Sequence, residues 1–260
     1  MRPISELPRA EAEGLDGLLF DLDDTVLDRG QLSEAAYAAL FRLRECGLRL
    51  IAVTGRPAAW GEVLARQWPI DAAVTENGAV AFTRSDGVMT RHDAAPEGER
   101  QRRRALLAQV VASIAEDHPE VHAADDVGGR ISDFAFDIAE HHRVAPEVVR
   151  AVSALAHEHG ARTHSSSVHL HITFDADDKA TGVVRLINML WGTDPTLARF
   201  RHAFIGDSEN DGSCFAAFRT SIAVQNFSGR PTVGPRYLTR AARGQGFAEA
   251  AARLVALRGK

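Results

Sequence analysis

The chain has 260 residues, a length that suits one large domain or one domain carrying an insert. Hydrophobic residues make up 45% of the chain and charged residues 25%, as is ordinary for a globular protein. The net charge of −5 lacks the basic excess of nucleic-acid-binding proteins, so we expect no nucleic-acid partner. There is no apolar run of about 18 residues to span a membrane, and the two cysteines, Cys46 and Cys214, cannot build a disulfide framework. We therefore expect a cytoplasmic protein with no membrane partner.

Before the first apolar run, residues 1–16 mix Pro, Glu and Arg, and we expect them to form a flexible N-terminal tail. After them, short apolar runs alternate with helical patterns, and Ser33 and Gly47 are residue types that begin and end helices. This alternation predicts a parallel sheet with crossover helices. The apolar runs that predict buried strands are residues 17–21, 48–53 and 71–75.

The alternation stops after the third run and returns at Lys179. Residues 84–98 are polar and rich in turn-forming types. Helical patterns then cover residues 99–117 and 146–160, and strand patterns cover residues 131–139 and 168–174. We therefore predict an α/β domain made of residues 17–82 and 177–260, with an α+β module inserted over residues 83–176.

Polar segments follow several of the predicted strands. Because ligands bind at the carboxyl ends of strands in a parallel sheet, Asp21, Thr54 and Asp207 can meet there. Asp21 and Asp23 lie two residues apart in an extended segment, so both carboxylates can face one substrate. The polar segments are Asp21-Leu22-Asp23-Asp24-Thr25, Thr54-Gly55-Arg56, Lys179 and Gly206-Asp207-Ser208-Glu209-Asn210-Asp211.

These residue types together fit phosphoryl transfer through a carboxylate nucleophile. Asp21 can attack phosphorus to form an acyl phosphate, and Asp23 can protonate the leaving alkoxide and later deprotonate water. Mg²⁺ would offset the repulsion among Asp21, Asp207 and the phosphate. Thr54 can donate to phosphoryl oxygens, and Lys179 adds a positive charge. Each segment alone is also a common turn, helix cap or surface feature, but together they predict a catalytic site.

In the order and spacing of these segments, the sequence resembles the haloacid-dehalogenase-like phosphohydrolases. Their motifs are Asp-x-Asp-x-Thr after a strand, a strand-end Thr or Ser, a Lys, and Gly-Asp followed shortly by an Asp. The resemblance extends from Gly17 to at least Asp211. It implies a Rossmann-like catalytic core with helices on both faces of the sheet, dependence on Mg²⁺, and an aspartyl-phosphate intermediate.

The resemblance also assigns roles to individual residues. It implies catalytic roles for Asp21, Asp23, Thr54 and Lys179. It implies metal binding by Asp21, Asp23, Asp207 and Asp211, with Asp23 acting through its backbone carbonyl. It implies substrate binding by Thr54, Gly55, Arg56, Asn77, Lys179 and Asn210. Asp24 stands where many members have Gly.

The insert over residues 83–176 is similar to the larger α+β cap domain of one branch of this superfamily. That branch includes sucrose-phosphate, trehalose-phosphate and mannosyl-phosphoglycerate phosphatases, and phosphomannomutases. The segment Glu76-Asn77-Gly78-Ala79 resembles the Asn-Gly-Ala turn that precedes this cap. The candidate substrate contacts in the cap are His141, His142, Arg143, Ser165, Ser166, Ser167, His169 and His171.

Some of these side chains have two interpretations. His169 and His171 share one face of a strand and could bind sugar hydroxyls or simply be polar positions of a half-exposed sheet. A substrate with a second anionic group would need a further cation, for which the candidates are Arg130, Arg143 and Arg162. The three tryptophans, Trp60, Trp68 and Trp191, are interpreted as packing residues.

The resemblance implies a Mg²⁺-dependent phosphatase of a small phosphorylated metabolite, with a sugar phosphate as the expected substrate. A phosphomutase, which returns the phosphoryl group to a sugar instead of to water, is the nearest alternative in chemistry. A non-catalytic sugar-phosphate-binding protein of the same fold is the alternative from another class. The retention of Asp21, Asp23, Lys179 and Asp207 argues against that last interpretation.

Overall fold

The computed structural model describes residues 1–166 and 168–259, so Ser167 lies outside the described residues. The strands are β1 (Arg2–Pro3), β2 (Gly17–Phe20), β3 (Leu27–Asp28), β4 (Gln31–Leu32), β5 (Arg49–Val53), β6 (Ala72–Thr75), β7 (Val80–Ser85), β8 (Val88–Asp93), β9 (His122–Ala123), β10 (Asp133–Asp137), β11 (Arg162–Ser165), β12 (His169–Thr173), β13 (His202–Gly206), β14 (Thr220–Ala223) and β15 (Tyr237–Leu238). The helices are α1 (Arg9–Glu13), α2 (Glu34–Glu45), α3 (Ala58–Gln67), α4 (Glu97–Asp117), α5 (Pro146–Glu158), α6 (Lys179–Trp191), α7 (Pro195–Arg201), α8 (Gly212–Ala217) and α9 (Arg243–Arg258).

The main sheet has the strand order β1-β15-β14-β13-β2-β5-β6-β7-β8. Its central strands β14, β13, β2, β5 and β6 are parallel, whereas β7 and β8 are antiparallel to their neighbours. The residues of β2, β6, β13 and β14 are all buried, as expected for parallel strands covered on both faces. The prediction of an α/β fold with a mostly parallel sheet is confirmed.

Helices cover both faces of this sheet because successive strand residues point to opposite sides. Leu18 and Phe20 of β2 pack in one apolar cluster, to which α2 and α9 contribute Leu40 and Leu254. Leu19, between them, packs in a second cluster with side chains of α6 and α8. Across residues 1–166 and 168–259, no helix combines the length and the apolar character needed to cross a membrane.

A second sheet, in the order β11-β12-β10-β9, lies within the segment predicted as the cap. Its pairs are all antiparallel. Helices α4 and α5 pack on it, and Ile114, Phe136, Val152 and Ile172 belong to one separate apolar cluster. The segment therefore has its own core, although its boundaries as a domain stay a prediction.

The polar, turn-rich residues 84–98 include the end of one strand and the whole of another. Strands β7 and β8 form a hairpin that pairs with β6 and extends the main sheet as far as Asp93. The main sheet therefore extends to Asp93, past residue 83, where the cap was predicted to begin. The hairpin turns at Asp86 and Gly87, whose φ angles of 50° and 81° suit a type I′ turn. Strand β8 is an exposed edge strand, so it lacks the apolar alternation that identifies a half-buried strand.

The expectation of a flexible tail at residues 1–16 is wrong. Strand β1 pairs with β15 at the edge of the main sheet, and α1 packs against α9. Ile4 and Leu7 are 2% and 1% exposed and lie in the same cluster as Phe20. These apolar residues are isolated in the sequence, so their burial depends on partners more than 200 residues away.

Substituting Leu7 by Ala is expected to lower the free energy of unfolding by about 2–5 kcal/mol, because it leaves a cavity in a closed core. Urea denaturation of the purified variant measures this. Leu32→Ala is the matched control, since Leu32 is 37% exposed and should cost well under about 1 kcal/mol. Equal losses in the two variants would contradict the burial of the N-terminal segment.

Candidate active site

Four charged side chains from distant parts of the chain meet at the carboxyl end of the main sheet. Asp21 follows β2, Asp207 follows β13, and the first residue of α6 is Lys179. The Lys179 ammonium donates to Asp21 Oδ1 and to Asp211 Oδ1, each at 2.8 Å. Carboxylate oxygens of Asp21, Asp207 and Asp211 lie within 4.8 Å of one another. The predicted convergence of these segments is therefore present in the fold.

Burial gives this cluster unusual electrostatics. Lys179 is 2% exposed, and the three carboxylates are 9% exposed or less. Burial is the main reason that the pKa of Asp21 lies well above its usual range, and Asp211 and Asp207 raise it further against the opposing charge of Lys179. Burial and the charge of Asp211 raise the pKa of Asp207 to about 7. Burial opposes the charge on Lys179, but Asp21 and Asp211 together raise its pKa and keep the ammonium protonated.

The loop after β13 is shaped by its last carboxylate. Asp211 Oδ2 accepts hydrogen bonds from the amides of Asp207 and Ser208 at 2.9 and 3.2 Å. Gly206 is required beside it, because a Cβ atom there would collide with Asp211 Oδ2. Asp211 thus holds both the loop and Lys179, while Asp207 projects from the strand end towards Asp21.

Lys179 reaches the site because α6 approaches the turn after β6 very closely. Gly182 of α6 and Gly78 of that turn are in backbone contact, and a Cβ atom on either would overlap the other segment. Asp178 caps the helix in a reciprocal capping box with Thr181. The helix therefore begins at Lys179 and directs it into the cluster.

The Thr54-Gly55-Arg56 segment follows β5 and lies against the turn after β6. The amide of Arg56 donates to Thr54 Oγ1 at 3.1 Å, and the amide of Asn77 donates to the Thr54 carbonyl at 3.2 Å. Asn210 Nδ2 donates to Asn77 Oδ1 at 3.3 Å, which joins this turn to the loop after β13. The predicted substrate-binding residues are thus brought together around Lys179.

Asp23 lies at the same cavity but is paired with Arg56. Arg56 Nε donates a hydrogen bond to Asp23 Oδ2 at 2.8 Å, and its Nη2 donates one to Asp23 Oδ1 at 2.6 Å. The guanidinium also stacks 4.2 Å above the ring of Trp60. Trp60 is 40% exposed and lines the cavity, so its interpretation as a packing residue is wrong. The helical pattern of apolar residues in α3 does not show that Trp60 faces outward.

Several residues at the site were missed from the sequence. Asn226, just after β14, donates to the Asp24 carbonyl at 3.0 Å and to Asp207 Oδ2 at 3.5 Å. Arg243 donates Nε to Asp24 Oδ1 at 2.8 Å. Asp24 has φ 54°, a left-handed backbone conformation that Gly adopts without strain. The rule that ligand-binding residues follow strand ends would have pointed to Asn226 had it been applied to β14.

A cavity of about 390 Å³ lies between these residues and the segment predicted as the cap. Of the candidate contacts, Ser166, His169 and His171 line it, and His141 hydrogen-bonds to Asp125, which also lines it. Ser165 lines a neighbouring cavity that also contacts Lys179. His142 and Arg143 are exposed residues outside the lining of both cavities. The cap-side residues missed from the sequence are Asp125, Asp126 and Glu140, with Arg130 noted before only as a possible cation.

The buried carboxylate of Glu76 joins the main sheet to the start of β10. Its Oε1 accepts from the amides of Ala58 and Ile131 at 2.8 and 2.9 Å. Its Oε2 accepts from the amide and hydroxyl of Ser132 at 2.5 and 2.6 Å, and from the amide of Asp133 at 3.2 Å. Burial and the charge of Asp133 raise the pKa of Glu76, against the effect of the Ser132 donors. One side chain thereby fixes the cap side of the cavity over the core.

Glu76→Ala is expected to lower the free energy of unfolding by about 2–4 kcal/mol, because four backbone amides lose their buried acceptor. Urea denaturation gives the value. Glu62→Ala, which removes an exposed i,i+4 partner of Arg66 on α3, should change it by less than about 0.5 kcal/mol. A Glu76→Ala protein as stable as the Glu62→Ala control would show that these hydrogen bonds contribute nothing.

The chemistry of the acidic cluster fits a divalent cation. Asp21, Asp207 and Asp211 offer carboxylate oxygens, the ligand type that Mg²⁺ prefers. Three carboxylates so close together and so deeply buried are balanced within the cluster by one ammonium, that of Lys179. Added positive charge would therefore stabilise the ionised forms of Asp21 and Asp207.

Comparisons with known proteins find a matching family model and several solved structures of the same fold. The family model of the haloacid dehalogenase-like hydrolases matches residues 18–103. Among solved structures, the fold is shared by a Thermoplasma acidophilum protein, with 18% identity, coverage of 92% of this chain and 98% of that one, and a TM-score of 0.73. It is shared by the sucrose-phosphatase of Synechocystis sp. PCC6803, with 17% identity, 92% and 98% coverage and a TM-score of 0.65. It is also shared by a sugar phosphatase of subclass IIB of this superfamily, with 16% identity, 91% and 97% coverage and a TM-score of 0.64.

A comparison with curated proteins finds no match. The sequence identities to the solved structures are low, so these similarities show a shared fold only. The shared fold extends over nearly the whole length of both chains. The matched segment contains Asp21, Asp23 and Thr54, and the fold brings Lys179 and Asp207 to them. Over residues 18–103 the chain is similar to the haloacid dehalogenase-like hydrolases.

Proposed function

We propose that the protein is a Mg²⁺-dependent phosphatase that hydrolyses a small phosphorylated metabolite, a sugar phosphate, through an aspartyl-phosphate intermediate. The observation that carries the proposal is the contact of Lys179 with Asp21 and Asp211, beside Asp207, at the floor of one cavity. A carboxylate nucleophile, a fixed cation and a cluster of hard oxygen ligands are the groups that this reaction needs.

In the first step, a carboxylate oxygen of Asp21 attacks phosphorus. The bond from phosphorus to the substrate oxygen breaks, and Asp23 gives its proton to the departing alkoxide. Water then attacks the phosphorus of the acyl phosphate, Asp23 takes its proton, and inorganic phosphate leaves with Asp21 restored. Lys179 holds Asp21 Oδ1, so the carboxylate has one orientation throughout.

Asp23 needs to be released from Arg56 for these proton transfers. Arg56 lies in the cavity, and a phosphoryl group is a bidentate acceptor that can replace the Asp23 carboxylate as its partner. Thr54 and the amide of Gly55 lie beside it and can donate to the same group. We therefore assign Arg56 to substrate binding and to control of the Asp23 side chain.

The metal would be held by Asp21 and Asp207, with the backbone carbonyl of Asp23, and Asp211 would support it from behind. When bound, Mg²⁺ would neutralise charge on the phosphoryl group and on these carboxylates. Lys179 and Asp211 maintain the shape of the site through hydrogen bonds among themselves and to the loop after β13.

A sugar phosphate is supported by the polar lining of the cap side, where His169, Glu140 and Ser166 offer hydrogen-bonding groups. Two neighbours in fold are described as a sucrose-phosphatase and a sugar phosphatase. We also propose a cytoplasmic location, since Cys46 and Cys214 are buried free thiols.

The test is phosphate release from a panel of sugar phosphates and small phosphorylated acids, with Mg²⁺ and with a chelator. We expect Mg²⁺-dependent release that is absent in an Asp21→Asn protein. No release from any panel member with Mg²⁺ would overturn the proposal. Phosphoryl transfer between sugar positions, detected in the same panel with a sugar bisphosphate added, would identify a phosphomutase instead.

A further inference from the structure

The cations that line the cavity are each paired with a carboxylate, and further carboxylates lie at the rim of the cavity. We propose that the cavity selects a substrate whose leaving group is an uncharged polyol or sugar, and discriminates against phosphorylated acids. This inference rests on the proposed phosphatase function and concerns the part of the substrate beyond the phosphoryl group.

The cap-side cation, Arg130, is already neutralised. It is 5% exposed and pairs with Asp126 at 2.7 Å and with Asp133 at 2.9 Å. Its Nη1 also donates to the Gly55 carbonyl of the core at 3.1 Å and lies 3.4 Å from His171 Nδ1. A buried guanidinium held by two carboxylates serves to position the cap side, and the group of three offers no net positive charge to a substrate.

The other candidate cations of the cap lie elsewhere. Arg162 donates to the Ala176 carbonyl at 2.7 Å and lines a different cavity. Arg143 is exposed and outside the lining of the cavity. On the core side, Arg56 pairs with Asp23 and Arg243 with Asp24. Within the described part of the chain, each Lys or Arg that lines this cavity is therefore paired with at least one carboxylate.

The rim of the cavity carries two His-carboxylate pairs. Glu140 contacts His169 at 2.7 Å, and Asp125 contacts His141 at 2.9 Å. Each pair has a charge of zero when the imidazole is protonated and −1 when it is neutral, so neither pair adds positive charge to the rim. Carboxylate oxygens accept hydrogen bonds from hydroxyl groups and repel a second carboxylate.

The acidic rim is built into the fold. Asp137 accepts hydrogen bonds from the amides of Ala139, Glu140 and His141 at 3.0, 2.7 and 2.9 Å. These bonds fix the loop that carries Glu140 and His141 at the end of β10. The Glu140 carboxylate is therefore pre-positioned at the cavity, where a leaving group attached to the phosphoryl group would lie.

A matched pair of substrates tests the inference directly. Sorbitol 6-phosphate and 6-phosphogluconate have the same six-carbon chain and the same hydroxyl groups at carbons 2 to 5. At carbon 1, sorbitol 6-phosphate has a primary alcohol and 6-phosphogluconate has a carboxylate. We expect kcat/KM for sorbitol 6-phosphate to be about 10–100 times higher, because one like-charge contact costs this much in a partly enclosed site. The ratio should fall as salt is added, since ions screen the repulsion.

Variants identify the source of the discrimination. Glu140→Gln should lower the ratio by roughly threefold or more, and Glu140→Lys should lower it further, because it places an unpaired cation at the rim. Glu116→Gln is the matched control: it removes the same charge from an exposed position of α4 outside the cavity and should leave the ratio unchanged. Equal kcat/KM values for both substrates, or a ratio insensitive to Glu140→Lys, would overturn the inference while leaving a phosphatase in place.

Binding separates this inference from the proposed function. If no substrate is turned over, the phosphatase proposal fails, and the two ligands can still be titrated calorimetrically into the Asp21→Asn protein with Mg²⁺. Tighter binding of sorbitol 6-phosphate would support the selectivity of the cavity without turnover. Equal or reversed affinities would overturn it.

Discussion

Asp21→Asn is expected to lower kcat by about 10⁴-fold or more with every substrate, because an amide oxygen cannot replace the carboxylate as nucleophile. Phosphate release under saturating substrate and Mg²⁺ measures the loss. The fold should persist, since Asn is similar in shape and still accepts the hydrogen bond that Lys179 donates at 2.8 Å. A thermal melt within a few degrees of the parent protein would establish this.

Asp16→Asn is the matched control for that experiment. Asp16 precedes β2 at the opposite end of the strand and pairs with Arg201 on the surface. Its substitution should leave kcat within about twofold. Residual activity above about one hundredth of the parent value in Asp21→Asn, with the control unchanged, would rule out Asp21 as the nucleophile.

Lys179→Met is expected to affect activity and stability together. Lys179 is buried between Asp21 and Asp211, and its removal leaves their charges without a partner. Losing one member of a buried ion pair typically costs about 3–5 kcal/mol. We expect that loss in urea denaturation at pH 8, and a fall in kcat of about 10³-fold or more.

The pH dependence of this variant gives a second readout. Lys179 lowers the pKa of Asp21, so its removal raises that pKa further in the folded protein. A carboxyl group whose pKa is raised by folding stabilises the protein at low pH and loses that contribution as the pH rises. The difference in unfolding free energy between Lys179→Met and the parent should therefore be smaller at pH 5 than at pH 8.

Arg66→Met serves as the control for Lys179→Met. It removes a cation of an exposed i,i+4 pair with Glu62 on α3, and should cost less than about 1 kcal/mol at either pH. A Lys179→Met protein that is as stable and as active as this control would contradict the role of the buried cation. Added Mg²⁺ should stabilise Lys179→Met, because any positive charge among Asp21, Asp207 and Asp211 relieves their repulsion.

The main strands and the floor of the site could be predicted because their signals are local. A fully apolar run such as Leu18, Leu19 and Phe20 can only be buried, and a carboxylate directly after it must lie at the strand end. The same reasoning located Thr54 and Asp207. Convergence of these residues then follows from parallel strand order, without any knowledge of side-chain contacts.

Other elements depended on partners distant in the sequence. Strand β1 is short and exposed, and only its pairing with β15 identifies it as part of the sheet. Ile4 and Leu7 are single apolar residues among polar ones, and their burial is decided by α9 and the main sheet. Strand β8 has no buried face to give it an alternating pattern.

By itself, the sequence determined the order of the central elements, the α/β class and the charged residues that follow the central strands. Only the tertiary structure decided how those charges are paired: Asp23 with Arg56, Arg130 with Asp126 and Asp133, and Glu140 with His169. The physical reason is that hydrophobic periodicity is encoded within a few neighbouring residues. Charge pairing is set by distances between separate elements, so it exists only once the chain has folded.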